Sequence, residues 1–254
     1  GTLAVLISGW WLAVTLKNLS LGVTLLIVEL IINSFGYLYS LPIGHTVLSI
    51  RIILFLGAIT IIILQFIKNK KLNIFTHRWR WWYALTILTM AGSAAIGLLR
   101  GNDLGNILLD GNAYVYILLL PLFLEADVNS LLKNCKKILP WAVGWLSLKT
   151  LIALYLFSHL SSDTLLDFYR WWRQTGFGEI TYVSGNWFRI FSQSQIFTSL
   201  ATVASLAYLW LEPKAKLIWW LFAWISMVGL LASFSRSFWL GSVVGLLCLT
   251  LIAI

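Results

Sequence analysis

The stretch VLSIRIILFLGAITIIILQFI, residues 47–67, decides the fold class of this chain. It runs for 21 residues with Arg51 as its single charged side chain. A helix needs about 20 apolar residues to cross the hydrocarbon core of a bilayer, so this stretch predicts a membrane-spanning helix. The continuous run of Leu and Ile does not alternate as the strands of a membrane β-barrel do. We therefore predict an all-α integral membrane protein.

The rest of the chain has the same character. Of its 254 residues, 60% are hydrophobic and 11% are charged, and the mean hydropathy is +0.88, outside the range of soluble globular proteins. Apolar runs predict a polytopic helical bundle of about nine membrane segments, at residues 2–16, 20–39, 47–67, 81–99, 107–124, 138–157, 191–211, 217–233 and 237–254. We expect residues 1–254 to form a single transmembrane domain, truncated at both ends.

The distribution of cationic residues predicts which loops face which side. Loops rich in lysine, at residues 68–80, 133–137 and 214–216, alternate with loops poor in lysine. By the positive-inside rule the lysine-rich loops face the cytoplasm. The net charge of +9 is then mostly a topology signal, and we expect the lipid bilayer, not nucleic acid, as the surrounding partner.

The predicted outer face carries six arginines and no lysine, whereas the predicted inner face carries nine lysines and two arginines. The outer set is Arg51, Arg100, Arg170, Arg173, Arg189 and Arg236. Both residue types satisfy the positive-inside rule, so topology does not explain this sorting. A guanidinium group binds phosphate or carboxylate through two parallel hydrogen bonds, which an ammonium group cannot do. The outer face therefore favours an anion, with phosphate as the leading candidate.

One predicted outer loop, residues 159–190, is long enough to hold its own structure. Ser161-Ser162-Asp163 is a plausible helix N-cap, and apolar residues recur at helical spacing up to Gly176. This pattern predicts a short amphipathic helix on the outer membrane surface, followed by an extended segment. The helix is equally well explained as a simple connector.

Two short outer segments contain candidate ligands for an anion or a sugar. In the turn Ser233–Trp239, Arg236 lies close to the interface, where it either snorkels or binds an anion with help from Ser235 and Ser237. The segment from Arg100 to Asn112 contains Asp110 and several amides, which suit a polyhydroxylated substrate or simply form turns. Two charges inside predicted helices, Glu29 and Lys149, are read as a mutually neutralising pair.

Soluble catalytic signatures and histidine or cysteine clusters at metal-ligand spacing are missing from the sequence. We therefore expect neither a metal nor another cofactor.

Three of these segments resemble the O-antigen ligase and O-antigen polymerase family of membrane glycosyltransferases. The turn SFSRSFWLG, residues 233–241, resembles the family's arginine-containing turn before a helix, and NWFRIFS, residues 186–192, resembles its arginine-aromatic element. The stretch from Arg100 through Asp110 to Tyr114 is similar to a helix-loop-helix element of the family. Around residues 192–195, SQSQ departs from the residues that many members carry.

The resemblance implies a metal-independent enzyme of the bacterial inner membrane that acts at the periplasmic face. Such enzymes transfer an undecaprenyl-diphosphate-linked saccharide to a sugar hydroxyl on a lipid or growing glycan acceptor, in lipopolysaccharide and other polysaccharide biosynthesis. By motif, Arg189 and Arg236 would bind the donor diphosphate, and Arg100 is a third candidate for that role. Arg170, Arg173, Ser235, Ser237 and Asp110 are possible secondary ligands. The family's general base is a histidine in a later periplasmic loop, which does not map onto this chain.

Two other function classes remain open on the sequence. One is a transporter or flippase of an anionic lipid or solute, which would carry cations and broken helices near the membrane midplane, often in inverted repeats. The other is a non-catalytic membrane subunit in which tryptophans and arginines serve as interface anchors.

Overall fold

The computed structural model describes residues 1–33, 36–43, 46–160, 162–185, 187–212, 214 and 216–253. The helices in this part of the chain are α1 (Thr2–Lys17), α2 (Leu19–Ile32), α3 (Ile50–Asn69), α4 (Arg80–Leu99), α5 (Leu104–Val115), α6 (Leu120–Glu125), α7 (Val128–His159), α8 (Ser162–Gln174), α9 (Ile196–Leu211), α10 (Leu217–Ala232) and α11 (Arg236–Ala253). The strands are β1 (Ser40–Ile43), β2 (Thr46–Ser49), β3 (Glu179–Ser184) and β4 (Trp187–Phe191), which form two antiparallel hairpins.

Three helices in the described part of the chain, α3, α4 and α7, are long and apolar enough to cross a membrane. Six further apolar helices are shorter than a full span. Each predicted membrane segment overlaps one of these helices, so the helical class is confirmed. That all nine segments cross a membrane remains a prediction.

The second predicted segment, residues 20–39, ends earlier than the hydropathy indicated. Helix α2 ends at Ile32, and side chains from elsewhere donate to its terminal carbonyl groups: Ser194 Oγ donates to Leu30 O at 3.2 Å, and Lys149 Nζ donates to Ile32 O at 3.1 Å. Gly36 then adopts a φ of +83°, a left-handed conformation that favours glycine. The β1–β2 hairpin follows instead of more helix.

The fifth predicted segment, residues 107–124, is not a continuous helix. It is divided into α5, a 3-10 turn over Tyr116–Leu119, and α6. Pro121 explains the break, because it has no N–H group to bond to the carbonyl four residues earlier and its ring crowds that carbonyl.

The described residues fall into two compact units. Unit 1 comprises Gly1–Leu6, Thr24–Arg51 and Leu132–Ile254, and unit 2 comprises Ile7–Val23 and Ile52–Leu131. In unit 1 the core of α2 and α7, built on Ile31, Ala142, Val143 and Leu146, also packs against α9 and α10. At the approach of α7 to α10, a Cβ added to Gly229 would lie 2.6 Å from Ser147 Oγ.

Helix α8 (Ser162–Gln174) is present within the predicted range, and Ser161 of the predicted N-cap lies outside the described residues. The apolar face of α8 is covered by the protein itself. Leu165 and Trp172 are buried in a cluster with Phe157 of α7, Phe177, and the hairpin residues Ile180 and Ile190. This contact, and not only a lipid surface, accounts for the amphipathic pattern. It fixes the β3–β4 hairpin against α7 and α8.

Candidate functional site

Strand β4 has two chemically different faces. Successive side chains of a strand point to opposite sides, so Trp187, Arg189 and Phe191 share one face while Phe188 and Ile190 share the other. Ile190 is fully buried in the cluster under α8, and Phe188 packs against that cluster. The arginine-bearing face is therefore directed away from the cluster.

The arginine-bearing face of β4 lies against the connection between α10 and α11. The Trp187 ring contacts the Phe234 ring with centroids 6.3 Å apart, and Phe191 stacks on Phe238 with centroids 5.9 Å apart. Arg189 stands between these two aromatic contacts. Its guanidinium carbon lies 4.9 Å from the Phe191 ring centroid, which is a cation–π distance.

The turn between α10 and α11 is held in one conformation by side chains of its own sequence. Ser233 Oγ donates to Leu230 O at 2.6 Å and accepts from Ser235 N at 3.2 Å. The Trp239 indole donates to the same carbonyl at 3.0 Å. These bonds hold Phe234 at a φ of +46°, a strained conformation for a bulky residue.

This turn places Arg236 and Ser237 at the start of α11, where both side chains are exposed. Ser235 directly before them is buried, with 6% of its surface exposed. The first turn of a helix leaves backbone N–H groups without intrahelical acceptors and carries partial positive charge. The sequence-predicted group of Ser235, Arg236 and Ser237 therefore lies at a helix end suited to an anion, beside the Arg189 face of β4.

The arginines differ in their carboxylate partners. Two ion pairs are found in the described part of the chain, Arg51–Glu29 at 3.3 Å and Arg170–Asp167 at 3.4 Å. Neither Arg189 nor Arg236 belongs to either pair. Arg189 Nε is also buried and without a hydrogen-bond partner among the described residues. A buried guanidinium donor without an acceptor is costly, and an anionic ligand would satisfy it.

The secondary candidates on α8 are already engaged by their own helix. Arg170 pairs with Asp167 three residues earlier, and Arg173 Nη1 donates to the Tyr169 hydroxyl at 3.1 Å. The hydrogen bond to Tyr169 raises the pKa of the exposed Arg173 above its ordinary value. Both guanidiniums are solvent-exposed on α8.

The expected pairing of Glu29 with Lys149 is wrong. Glu29 pairs instead with Arg51, whose side chain is 17% exposed. The Lys149 ammonium bonds to Ile32 O and lies 3.9 Å from the centroid of the Phe177 ring. Glu29, Arg51 and Lys149 all belong to unit 1.

Arg100 and Asp110, the remaining candidates, belong to unit 2. Arg100 caps the C-terminus of α4 and is exposed, and Gly101 follows with a φ of +77°. The Asp103 carboxylate accepts from Asn106 N at 3.3 Å as the N-cap of α5. Gly101 and Asp103 are thus turn formers. Asp110 is exposed on α5.

Gln195 is a residue of this region that sequence reasoning did not select. It is fully buried, and its Nε2 donates to Ile190 O at 2.8 Å and to Thr150 Oγ1 at 3.4 Å, while its Oε1 accepts from Ser192 N at 3.0 Å. The side chain therefore fixes the end of β4 to α7. The departure SQSQ at residues 192–195 was the available signal.

A largely apolar cavity of about 380 Å³ lies beside the same strand. It is lined by Leu151, Leu154, Tyr155, Ser158, His159 and Trp187. Trp187 thus contacts both the cavity and the turn that carries Arg236. His159 stacks on Tyr155 with ring centroids 4.3 Å apart, and its Nδ1 lies 2.9 Å from the Tyr155 carbonyl oxygen.

Among the described residues, no group of three His, Cys, Asp or Glu side chains could hold a metal ion. The arrangement around β4 is instead one of guanidinium groups, hydroxyls and aromatic faces. Such groups suit a phosphorylated ligand with a lipid or sugar part. Comparisons of the chain with protein-family models, with curated proteins and with solved structures find no match.

Proposed function

We propose that this protein is a membrane glycosyltransferase that transfers an undecaprenyl-diphosphate-linked saccharide to a sugar hydroxyl, with Arg189 and Arg236 binding the diphosphate. The observation that carries the proposal is the packing of the arginine-bearing face of β4 on the turn that opens α11. Arg189 lies on this face of β4 and Arg236 opens α11, and among the described residues neither guanidinium belongs to an ion pair with a carboxylate.

The chemistry explains why such a site would need arginine. The acceptor hydroxyl oxygen forms a bond to the anomeric carbon as the bond from that carbon to the diphosphate oxygen breaks. The leaving diphosphate gains negative charge, and the hydroxyl proton passes to a general base. Donors already placed where charge develops lower the barrier without reorganisation, and removing one costs about 10²–10³ in rate in other enzymes.

The surroundings of β4 agree with a donor that is part lipid and part sugar. The cavity beside Trp187 is apolar and open, and aromatic side chains are exposed on the hairpin. Aromatic faces pack against sugar rings and against isoprenoid chains. Arg100 and Asp110 remain secondary candidates of the family resemblance.

The intramembrane cation that a transporter would use is Lys149. Its ammonium is held by Ile32 O and by the Phe177 and Trp172 rings, which is a packing role. The cations without carboxylate partners at β4 and α11 favour binding at one face over passage through the membrane.

A series of arginine-to-lysine variants tests this function in the host cell. Lysine keeps the charge and removes the planar fork, so Arg189→Lys and Arg236→Lys should abolish or severely reduce surface glycan assembly at equal protein level. Arg170→Lys and Arg173→Lys are matched controls and should retain it, and Arg100→Lys measures its secondary role. Full activity in all five variants would show that the proposed bidentate hydrogen bonding of arginine to the diphosphate is wrong.

A further inference from the structure

A second cavity, of about 320 Å³, lies within unit 2 and is unrelated to the arginine site. It is lined by Thr15, Leu16, Lys17, Leu19, Ile61, Leu64, Gln65 and Lys68. The lining combines the last turn of α1, the first residue of α2 and the last turns of α3. Two ammonium groups and several apolar side chains thus surround one space.

Local packing fixes the helices that form this cavity. The Trp11 indole donates to Gly22 O at 3.0 Å and closes the α1–α2 connection, while Asn18 Oδ1 accepts from Leu21 N at 3.0 Å. Trp11 also packs against α3, where a Cβ added to Gly57 would lie 3.0 Å from its ring. The cavity is therefore a built feature of α1, α2 and α3.

Each lysine taken alone has an ordinary explanation. Lys17 and Lys68 lie in the last turns of their helices, where cations interact favourably with the helix dipole, and both fall on the face predicted to be cytoplasmic. That explanation does not require them to share a cavity with apolar walls. It also leaves Gln65 unexplained, because its Oε1 is buried and has no hydrogen-bond partner among the described residues.

We propose that this cavity binds a phospholipid with an anionic, hydroxyl-bearing headgroup, of the phosphatidylglycerol type. The phosphate lies between the ammonium groups of Lys17 and Lys68, as in other basic pockets between membrane helices on the cytoplasmic side. A headgroup hydroxyl donates to Gln65 Oε1. The apolar walls, chiefly Leu16 and Leu64, contact the glycerol and the first acyl carbons.

The apolar walls decide between a lipid and a free phosphate ion. A free ion would gain nothing from leucine and isoleucine side chains, and its desolvation there is costly. A lipid presents phosphate and hydrocarbon together, matching the lysines at one side and the apolar residues at the other. The occupant is therefore a lipid of the surrounding membrane.

Lipid retention by the purified full-length protein in detergent tests the proposal, measured by native mass spectrometry and by the shift in thermal unfolding. Phosphatidylglycerol should bind and raise the unfolding temperature, whereas phosphatidylcholine with the same acyl chains and inorganic phosphate should not. The double variant K17Q/K68Q should weaken phosphatidylglycerol binding about 30-fold, since each lysine near an anionic lipid contributes about a five-fold factor.

The matched control is K70Q/K71Q, which removes two lysines that do not line the cavity. It should retain lipid binding, and K17R/K68R should restore most of it. Leu64→Trp keeps both charges and fills the cavity, and it should also lower lipid binding. If K17Q/K68Q and K70Q/K71Q lose lipid binding equally, the proposal is overturned. It is also overturned if inorganic phosphate raises the unfolding temperature as much as phosphatidylglycerol does.

Discussion

Phe191 stacks on Phe238 with ring centroids 5.9 Å apart and an interplanar angle of 15°. This contact joins the last residue of β4 to the first turn of α11. Because Arg189 lies two residues before Phe191 on the same strand face, the stack also sets where its guanidinium can reach. The relation between strand and helix end is the structural basis of the proposed site.

The aromatic contact can be measured by a double-mutant cycle on Phe191→Ala and Phe238→Ala. We expect a coupling energy of about 0.5–1.5 kcal/mol, the usual range for aromatic pairs. Reversible unfolding of the purified protein in detergent gives the measurement. As a control, Phe191→Ala combined with Tyr208→Ala, near the far end of α9 in the same unit, should be additive. Additivity in the first pair would mean that the stack does not hold β4 to α11.

Gln195→Met tests the hydrogen bonds that fix the end of β4. The change leaves Ile190 O and Ser192 N without their partner, and we expect a loss of about 1–3 kcal/mol in stability. Anion binding should weaken as well, because β4 carries Arg189. Gln174→Met, an exposed position at the end of α8, should change neither quantity. If Gln195→Met leaves the free energy of unfolding unchanged, Gln195 does not hold β4 in position.

Gly229→Ala tests the close approach of α10 to α7. The new Cβ would lie 2.6 Å from Ser147 Oγ and 3.1 Å from Ser147 Cα, so overpacking should cost about 1–3 kcal/mol. Adding Ser147→Gly should recover part of the loss. Gly241→Ala is the matched control, because a Cβ there meets nothing within 4 Å. If Gly229→Ala leaves the free energy of unfolding unchanged, α7 and α10 lie farther apart at Gly229 than the distances to Ser147 indicate.

The two ion pairs should differ in energy because they differ in burial. Glu29→Gln leaves Arg51 uncompensated at 17% exposure, and we expect a loss of about 3 kcal/mol. Asp167→Asn breaks the exposed pair with Arg170 and should cost less than about 1 kcal/mol. Thermal or denaturant unfolding of both variants provides the comparison. If the two variants lose similar amounts of unfolding free energy, water screens the Glu29–Arg51 pair as it screens the exposed Asp167–Arg170 pair.

Hydropathy predicted where the apolar helices lie, since hydropathy is a local property of the sequence. It could not predict that α2 ends at Ile32, because the groups that take its last carbonyls, Lys149 and Ser194, are more than 100 residues away. The partner of Glu29 was missed because Arg51, 22 residues away, reaches it through the tertiary packing and not through helical spacing. Pro121 was visible, and the break after α5 could have been anticipated from it.

The site shows the same division between local and long-range information. Residue type singled out the six outer arginines, because only guanidinium combines fixed charge with a planar set of donors. The resemblance of residues 186–192 and 233–241 to family motifs then selected Arg189 and Arg236 among them. The alternation along β4 could be derived once a strand was assumed. The contacts of Phe191 and Trp187 with the α10–α11 turn depend on tertiary packing, which neither motif contains.

The central claim is that Arg189 and Arg236 bind one diphosphate. Binding of a prenyl diphosphate to the purified full-length protein, compared with the corresponding prenol, tests it most directly. We expect the wild-type protein to prefer the diphosphate. The double variant R189K/R236K should bind the prenyl diphosphate about 100-fold more weakly, roughly tenfold for each guanidinium group replaced. The control R170K/R173K should match wild type. Equal diphosphate affinity in both double variants would contradict the account.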